Sequence, residues 1–86
     1  MNGTEKQVKW AEEIKTGIMQ QVAQLRQQFI ADAAKYNIGA DNAQYQQAVS
    51  IFDRAEAKLN GQLDATWWIN NRQQVISRKW VQEIGR

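Results

Sequence analysis

One apolar stripe at helical spacing runs through the first third of the chain and constrains its fold more than any other feature. Its members recur every three or four positions and are Ala11, Ile14, Ile18, Val22, Leu25, Phe29, Ala33 and Tyr36. Thr4 and Gln7 form a capping-box pattern ahead of the stripe, and no proline occurs in the chain to interrupt it. We therefore predict one helix from about Glu5 to Tyr36, ending at Asn37-Ile38-Gly39, where Asn or Gly can take the left-handed conformation.

Two more helices are predicted from similar start and stop signals. Asp41 marks a start and Asn60-Gly61 a stop, so a second helix should run from about Asn42 to Leu59. Asp64 marks a third start, and the helix that follows is expected to continue toward Ile84. The predicted fold is therefore all-α, a single domain over residues 1–86 that forms a three-helix antiparallel bundle with a long first helix.

The predicted helices differ in length. At 1.5 Å per residue the first would be roughly 45 Å long and the others about 30 Å or less. The first helix therefore extends beyond the other two unless it bends, most easily at Thr16-Gly17. If it is straight, its extra length should pair with a second copy through exposed apolar residues such as Met19 and Ile30. A homodimer is thus one expectation. The residues expected in the core are Ile14, Ile18, Val22, Leu25, Phe29, Phe52, Leu59, Ile69, Ile76 and Trp80.

The composition argues against catalysis. The chain has no histidine and no cysteine, which removes the usual nucleophile, general base and metal-ligand candidates. Its carboxylates stand at capping and salt-bridge positions, so we predict no enzyme activity, no cofactor and no metal site. No apolar run is longer than three residues, the length of the run at 67–69, which is far shorter than a membrane span, and no signal peptide is recognisable. We expect a cytoplasmic protein without membrane contact.

The candidate site lies in the predicted third helix, at the basic end of the chain. If the third helix is continuous, a row of side chains from Trp67 to Val81 would face away from the core. The tryptophan and arginine in this row are residue types that supply hot-spot energy, and its amides can form hydrogen bonds. The residues expected to form this partner-binding site are Trp67, Asn71, Gln74 and Arg78, flanked by Arg72 and Lys79. In the alternative interpretation, Trp67 packs near Trp10 and belongs to an aromatic joint between helices.

Two segments carry a resemblance. Residues 3–15 (GTEKQVKWAEEIK) and 65–72 (ATWWINNR) resemble motifs of small uncharacterised proteins from phages, plasmids and other bacterial mobile elements, and together they cover about a quarter of the chain. The second motif is similar to a Trp-Trp-Ile-x-Asn-Arg pattern in which an acidic residue often stands where this chain has Asn70. The resemblance implies a mobile-element origin and assigns no functional residue.

Two functions are compatible with these features. The first is a non-enzymatic protein-binding module, an accessory or inhibitory protein of a phage or mobile element. The alternative is a small nucleic-acid-binding protein that uses its basic C-terminal helix, since residues 64–86 carry Arg72, Arg78, Lys79 and Arg86 against Asp64 and Glu83. Salt dependence distinguishes them, because contacts with phosphates weaken steeply as salt rises.

Overall fold

The computed structural model describes residues 1–86 and contains four helices and no strand. They are α1 (Glu5–Lys35), α2 (Ala43–Asn60), α3 (Ala65–Asn70) and α4 (Arg78–Gly85). The all-α fold class and the long first helix are confirmed. The prediction of three helices is wrong, because two short helices stand where one was expected. None of the four combines the length and the apolar character that crossing a membrane requires.

Local capping explains the limits of α1. The Thr4 hydroxyl accepts a hydrogen bond from the backbone N–H of Gln7, and the Gln7 side chain accepts one from the N–H of Thr4. At the other end Asn37 takes a left-handed φ of 56°, and the N–H of Ile38 bonds the Ala33 carbonyl. Between these caps α1 is one uninterrupted helix, and it does not break at Gly17.

The predicted third helix is interrupted after Asn70. The Asn71 side chain donates to the Trp67 carbonyl at 2.8 Å, and the Arg72 guanidinium donates to the Ile69 carbonyl, so side chains satisfy the last carbonyls of α3. Helix α4 begins after Ser77, whose hydroxyl accepts a hydrogen bond from the Trp80 N–H at 3.3 Å. Residues 71–77 form a non-helical link between the two helices.

This interruption resolves the mismatch in helix length. Helix α3 packs against α1, with Arg72 reaching Trp10 near the start of that helix. Helix α4 packs mainly against α2, with Arg78 reaching Asp32 near the end of α1. The long helix therefore has α3 packed near its start, while α4 reaches its end through the Arg78 side chain, and the molecule measures 48 × 18 × 15 Å.

The core is built from apolar residues of all four helices. Five of the ten predicted core residues are buried, namely Ile18, Val22, Phe52, Leu59 and Trp80. The other five are half-buried, namely Ile14, Leu25, Phe29, Ile69 and Ile76. Ala11 of the apolar stripe is buried as well, and the other buried residues of this core are Ala55, Ala65, Trp68 and Val81. Tyr36 was placed on the core stripe, yet it is 76% exposed because α1 ends there and no neighbouring element covers it.

One arginine links the two long helices. Arg26 of α1 bonds Asp53 of α2 at 2.7 Å and Glu56 at 3.3 Å. The hydrogen bond to Asp53 raises the pKa of the Arg26 guanidinium above its ordinary value, against a smaller lowering by burial.

Candidate functional site

The six residues of the predicted site do not share one helix face. Trp67 lies in α3, Gln74 lies in the exposed link, and Arg78 and Lys79 open α4. Val81, expected to line the same outer face, is buried at 1% exposure. The predicted alignment is wrong because it assumed a continuous helical period across residues 71–77.

Trp67 packs against the fold instead of projecting from it. Its ring meets that of Trp68 edge to face, with centroids 4.9 Å apart and planes at 83°. Trp68 is fully buried, and its indole N–H donates to the Gln62 carbonyl at 3.1 Å. The half-buried Trp67 therefore supports a core residue.

Trp10, Trp67, Trp68 and Arg72 form what we call the aromatic joint between α1 and α3. The Arg72 guanidinium carbon lies 5.2 Å from the centroid of the Trp10 ring, within the range of a cation–π contact. The ring contact of Trp67 is with Trp68, and that of Trp10 is with Arg72, so the alternative considered for Trp67 is present only in part.

The two segments that carry the resemblance meet at the aromatic joint. Gly3 has a φ of 139°, and a Cβ placed there would lie 3.0 Å from the Ala65 side chain. The backbone of Asn2 pairs with that of Asp64 in an isolated parallel bridge. Residues 3–15 and 65–72 are thus two sides of one packing contact, which gives both motifs a structural explanation.

The opposite end of the molecule contains a cleft that the sequence analysis did not predict. We call it the turn cleft, because it lies beside the turn between α1 and α2; its volume is about 220 Å³. The residues that line it are Phe29, Asp32, Ala33, Tyr36, Ile38, Asn42, Gln44, Tyr45 and Arg78. Phe29 stacks on Tyr45 with centroids 5.5 Å apart, so aromatic rings form much of its surface.

A second cleft adjoins the first between α1, α2 and α4. This inner cleft has a volume of about 150 Å³ and is lined by Phe29, Ala48, Ile51, Phe52, Arg78, Val81 and Gln82. Phe29 and Arg78 line both clefts and so form the wall between them. Arg78 is held there by an ion pair with Asp32 at 3.1 Å, and its guanidinium carbon lies 5.8 Å from the Phe29 ring.

The C-terminal cap of α1 shapes the turn cleft. The left-handed Asn37 reverses the chain, and the hydrogen bond from Ile38 to Ala33 brings both of these residues to the cleft. Ile38 is 39% exposed, and Tyr36 is more exposed still. Large apolar side chains around a concave surface, beside an arginine and two amides, are typical of sites that bind another molecule.

Of the six predicted site residues, only Arg78 lines a cleft. Tyr36, Ile38 and Tyr45 were missed because each could be assigned to a helical stripe or a turn. A signal was present: two large apolar residues flank Asn37, at a turn where the chain leaves its core.

No protein-family model matches the chain, and no match was found among curated proteins or solved structures.

Proposed function

We propose that this chain is a non-enzymatic protein-binding module and that the turn cleft holds an apolar side chain of its partner. The observation that supports this most directly is the concave aromatic surface around Phe29, Tyr36 and Tyr45. Tyrosine and arginine supply a large share of hot-spot energy in protein interfaces, and Arg78 borders the same surface.

The size of the cleft favours a side chain over a cofactor. Its volume of about 220 Å³ is below the range of about 300 to 1,000 Å³ that is usual for small-molecule sites. One or two side chains of a partner would fill it, and the rim amides of Asn42 and Gln44 could bond the partner backbone.

As part of the same proposal, we infer an accessory or inhibitory role in a phage or other mobile element. The support for this origin is the resemblance of residues 3–15 and 65–72 to proteins of such elements. Both segments pack in the aromatic joint, away from the turn cleft, so the resemblance says nothing about the partner.

The alternative function, nucleic-acid binding, has less support. Arg78 of the basic end is paired with Asp32. Arg72, near the start of the seven-residue link, lies over Trp10, whereas Lys79 follows the end of that link, so the expected basic row is divided. A dense basic surface is the usual mark of phosphate binding.

The test uses the wild-type chain and its Tyr36→Ala variant as bait in a lysate treated with nuclease. Because Tyr36 is 76% exposed, its truncation should leave the melting temperature nearly unchanged. If Tyr36 is a hot spot, the affinity for the captured protein should fall about thirtyfold, or about 2 kcal/mol.

Trp10→Ala is the matched control, since Trp10 is also an exposed aromatic but lies outside both clefts. It should retain the partner. The nucleic-acid alternative replaces the proposal if three results occur together. Nuclease treatment of the lysate must abolish capture, Lys79→Ala must weaken capture, and the affinity must fall steeply as salt rises. Equal capture by wild type and Tyr36→Ala would place the contact elsewhere.

A further inference from the structure

The outward face of α1 lacks charge over most of its length. Between Lys15 and Lys35 this helix contains two charged residues, Arg26 and Asp32, and both are paired with residues of other helices. The exposed positions in that stretch are mostly amides and small residues, among them Gln20, Gln24, Gln27, Ala31 and Ala34. Depletion of charge relative to the rest of a surface is characteristic of the central part of protein interfaces.

Gly17 lies on this face without a role in the fold of one chain. A Cβ placed on Gly17 would meet no atom within 4 Å, and the helix continues through it without interruption. Glycine inside a helix costs about 1 kcal/mol relative to alanine. The buried residues of α1, such as Ala11, Ile18 and Val22, lie on the opposite side of this helix, so the rest of the chain leaves Gly17 accessible.

We propose that the outward face of α1 binds the same face of a second copy of this chain in an antiparallel pair centred on Gln24. Charge complementarity fixes this register. Glu13 and Lys35 are the charged residues that border the uncharged stretch on this face, and both are exposed. With the two-fold axis at Gln24, Glu13 of each copy lies opposite Lys35 of the other.

In the same register, small residues of one copy lie opposite small residues of the other, and amides lie opposite amides. Gly17 falls opposite Ala31 of the second copy, so the two helices can approach closely near both ends of the contact. Gln24 falls opposite its own counterpart, where the two amides can exchange hydrogen bonds. A shallow depression lined by Gln24, Gln27, Gln28 and Ala31 already lies on this surface.

The surface area that this contact would bury indicates a weak dimer. The contact extends from Glu13 to Lys35, roughly 33 Å of helix, and involves one helix from each copy. Such a contact is at the low end of specific interfaces, near 1,200 Å² in total, so we expect a dissociation constant in the micromolar range. This surface is separate from the turn cleft, and the proposal does not depend on the proposed function.

The first experiment uses the absence of cysteine from the natural chain. Under mild oxidation at micromolar concentration, the Gln24→Cys variant should form disulfide-linked dimers at least tenfold faster than Ala57→Cys. Ala57 is an exposed helical position on α2 and serves as the control. Equal rates for the two variants would overturn the proposed axis.

The second experiment tests the register by sedimentation equilibrium. Lys35→Glu places like charges opposite each other at both ends and should weaken dimerisation at least tenfold, whereas the double variant Glu13→Lys/Lys35→Glu should recover to within about threefold of wild type. Failure of the double variant to recover would rule out this register. A wild-type chain that stays monomeric at several hundred micromolar would overturn the whole proposal.

Discussion

The two ends of α1 are packed in opposite ways. At its N-terminal end small residues allow α3 to lie close, Trp68 is fully buried, and its indole N–H is bonded. At its C-terminal end Phe29, Tyr36 and Tyr45 border clefts that remain open. The two motifs, residues 3–15 and 65–72, lie at the N-terminal end of α1 and are explained by packing. The turn cleft, which we propose as the binding surface, contains no recognisable motif.

The largest expected effect tests whether the aromatic joint belongs to the core. Trp68→Ala should lower the free energy of unfolding by about 3 to 5 kcal/mol, because it removes a fully buried indole and leaves a cavity. Phe52→Ala, in the part of the core beneath the inner cleft, should cost a similar amount. Urea unfolding measures both. A loss below 1 kcal/mol for Trp68→Ala would mean that the joint is peripheral.

Substitutions of two glycines, Gly85 and Gly17, test how closely α4 packs against α2. A Cβ on Gly85 would lie 2.5 Å from the Ile51 carbonyl oxygen of α2, so Gly85→Ala should destabilise the fold by about 1 to 3 kcal/mol. Gly17→Ala, in open space, should stabilise it by up to about 1 kcal/mol. Thermal melting of the two variants should therefore show shifts of opposite sign. A Gly85→Ala variant that melts no lower than the wild type would contradict the close contact between α2 and α4.

A further substitution distinguishes a binding role for Trp67 from a packing role. Trp67→Ala removes the edge-to-face contact with Trp68, which is worth about 0.5 to 1.5 kcal/mol beyond the area buried. We expect a loss of stability of about 1 to 2 kcal/mol with partner capture unchanged once folding is complete. If Trp67→Ala leaves the stability unchanged and weakens partner capture, Trp67 belongs to the binding site and the packing role is wrong.

Local chemistry explains which parts of the fold could be predicted. The caps at Thr4 and Asn37 act within a few residues of the helix end, so the limits of α1 agree with the structure to within one residue. The break in the third helix depends on contacts that are distant in sequence, because α3 packs against α1 whereas α4 packs mainly against α2. Asn71 and Ser77 signal it only weakly, and the apolar spacing across residues 65–84 fits one helix as well as two.

The candidate site was harder to predict than the helices. The sequence predicts a site at Arg78 from its charge and its place in a helical row, and the structure does not contain that row. The position of Arg78 in the cleft wall follows from the ion pair with Asp32, a residue distant in sequence. Tyr36 fits the apolar stripe by its spacing, but spacing cannot show that the helix ends before its neighbours cover it.

The bridge between Asn2 and Asp64 has a consequence for the order of assembly. Contacts between α1 and α2 need only the short turn at residues 36–42 to close. The bridge must instead close a loop that contains both helices, and loop closure costs more entropy as the loop lengthens. The hairpin of α1 and α2 is therefore the natural first structure, and α3 completes the joint late, once the start of α1 is already in place.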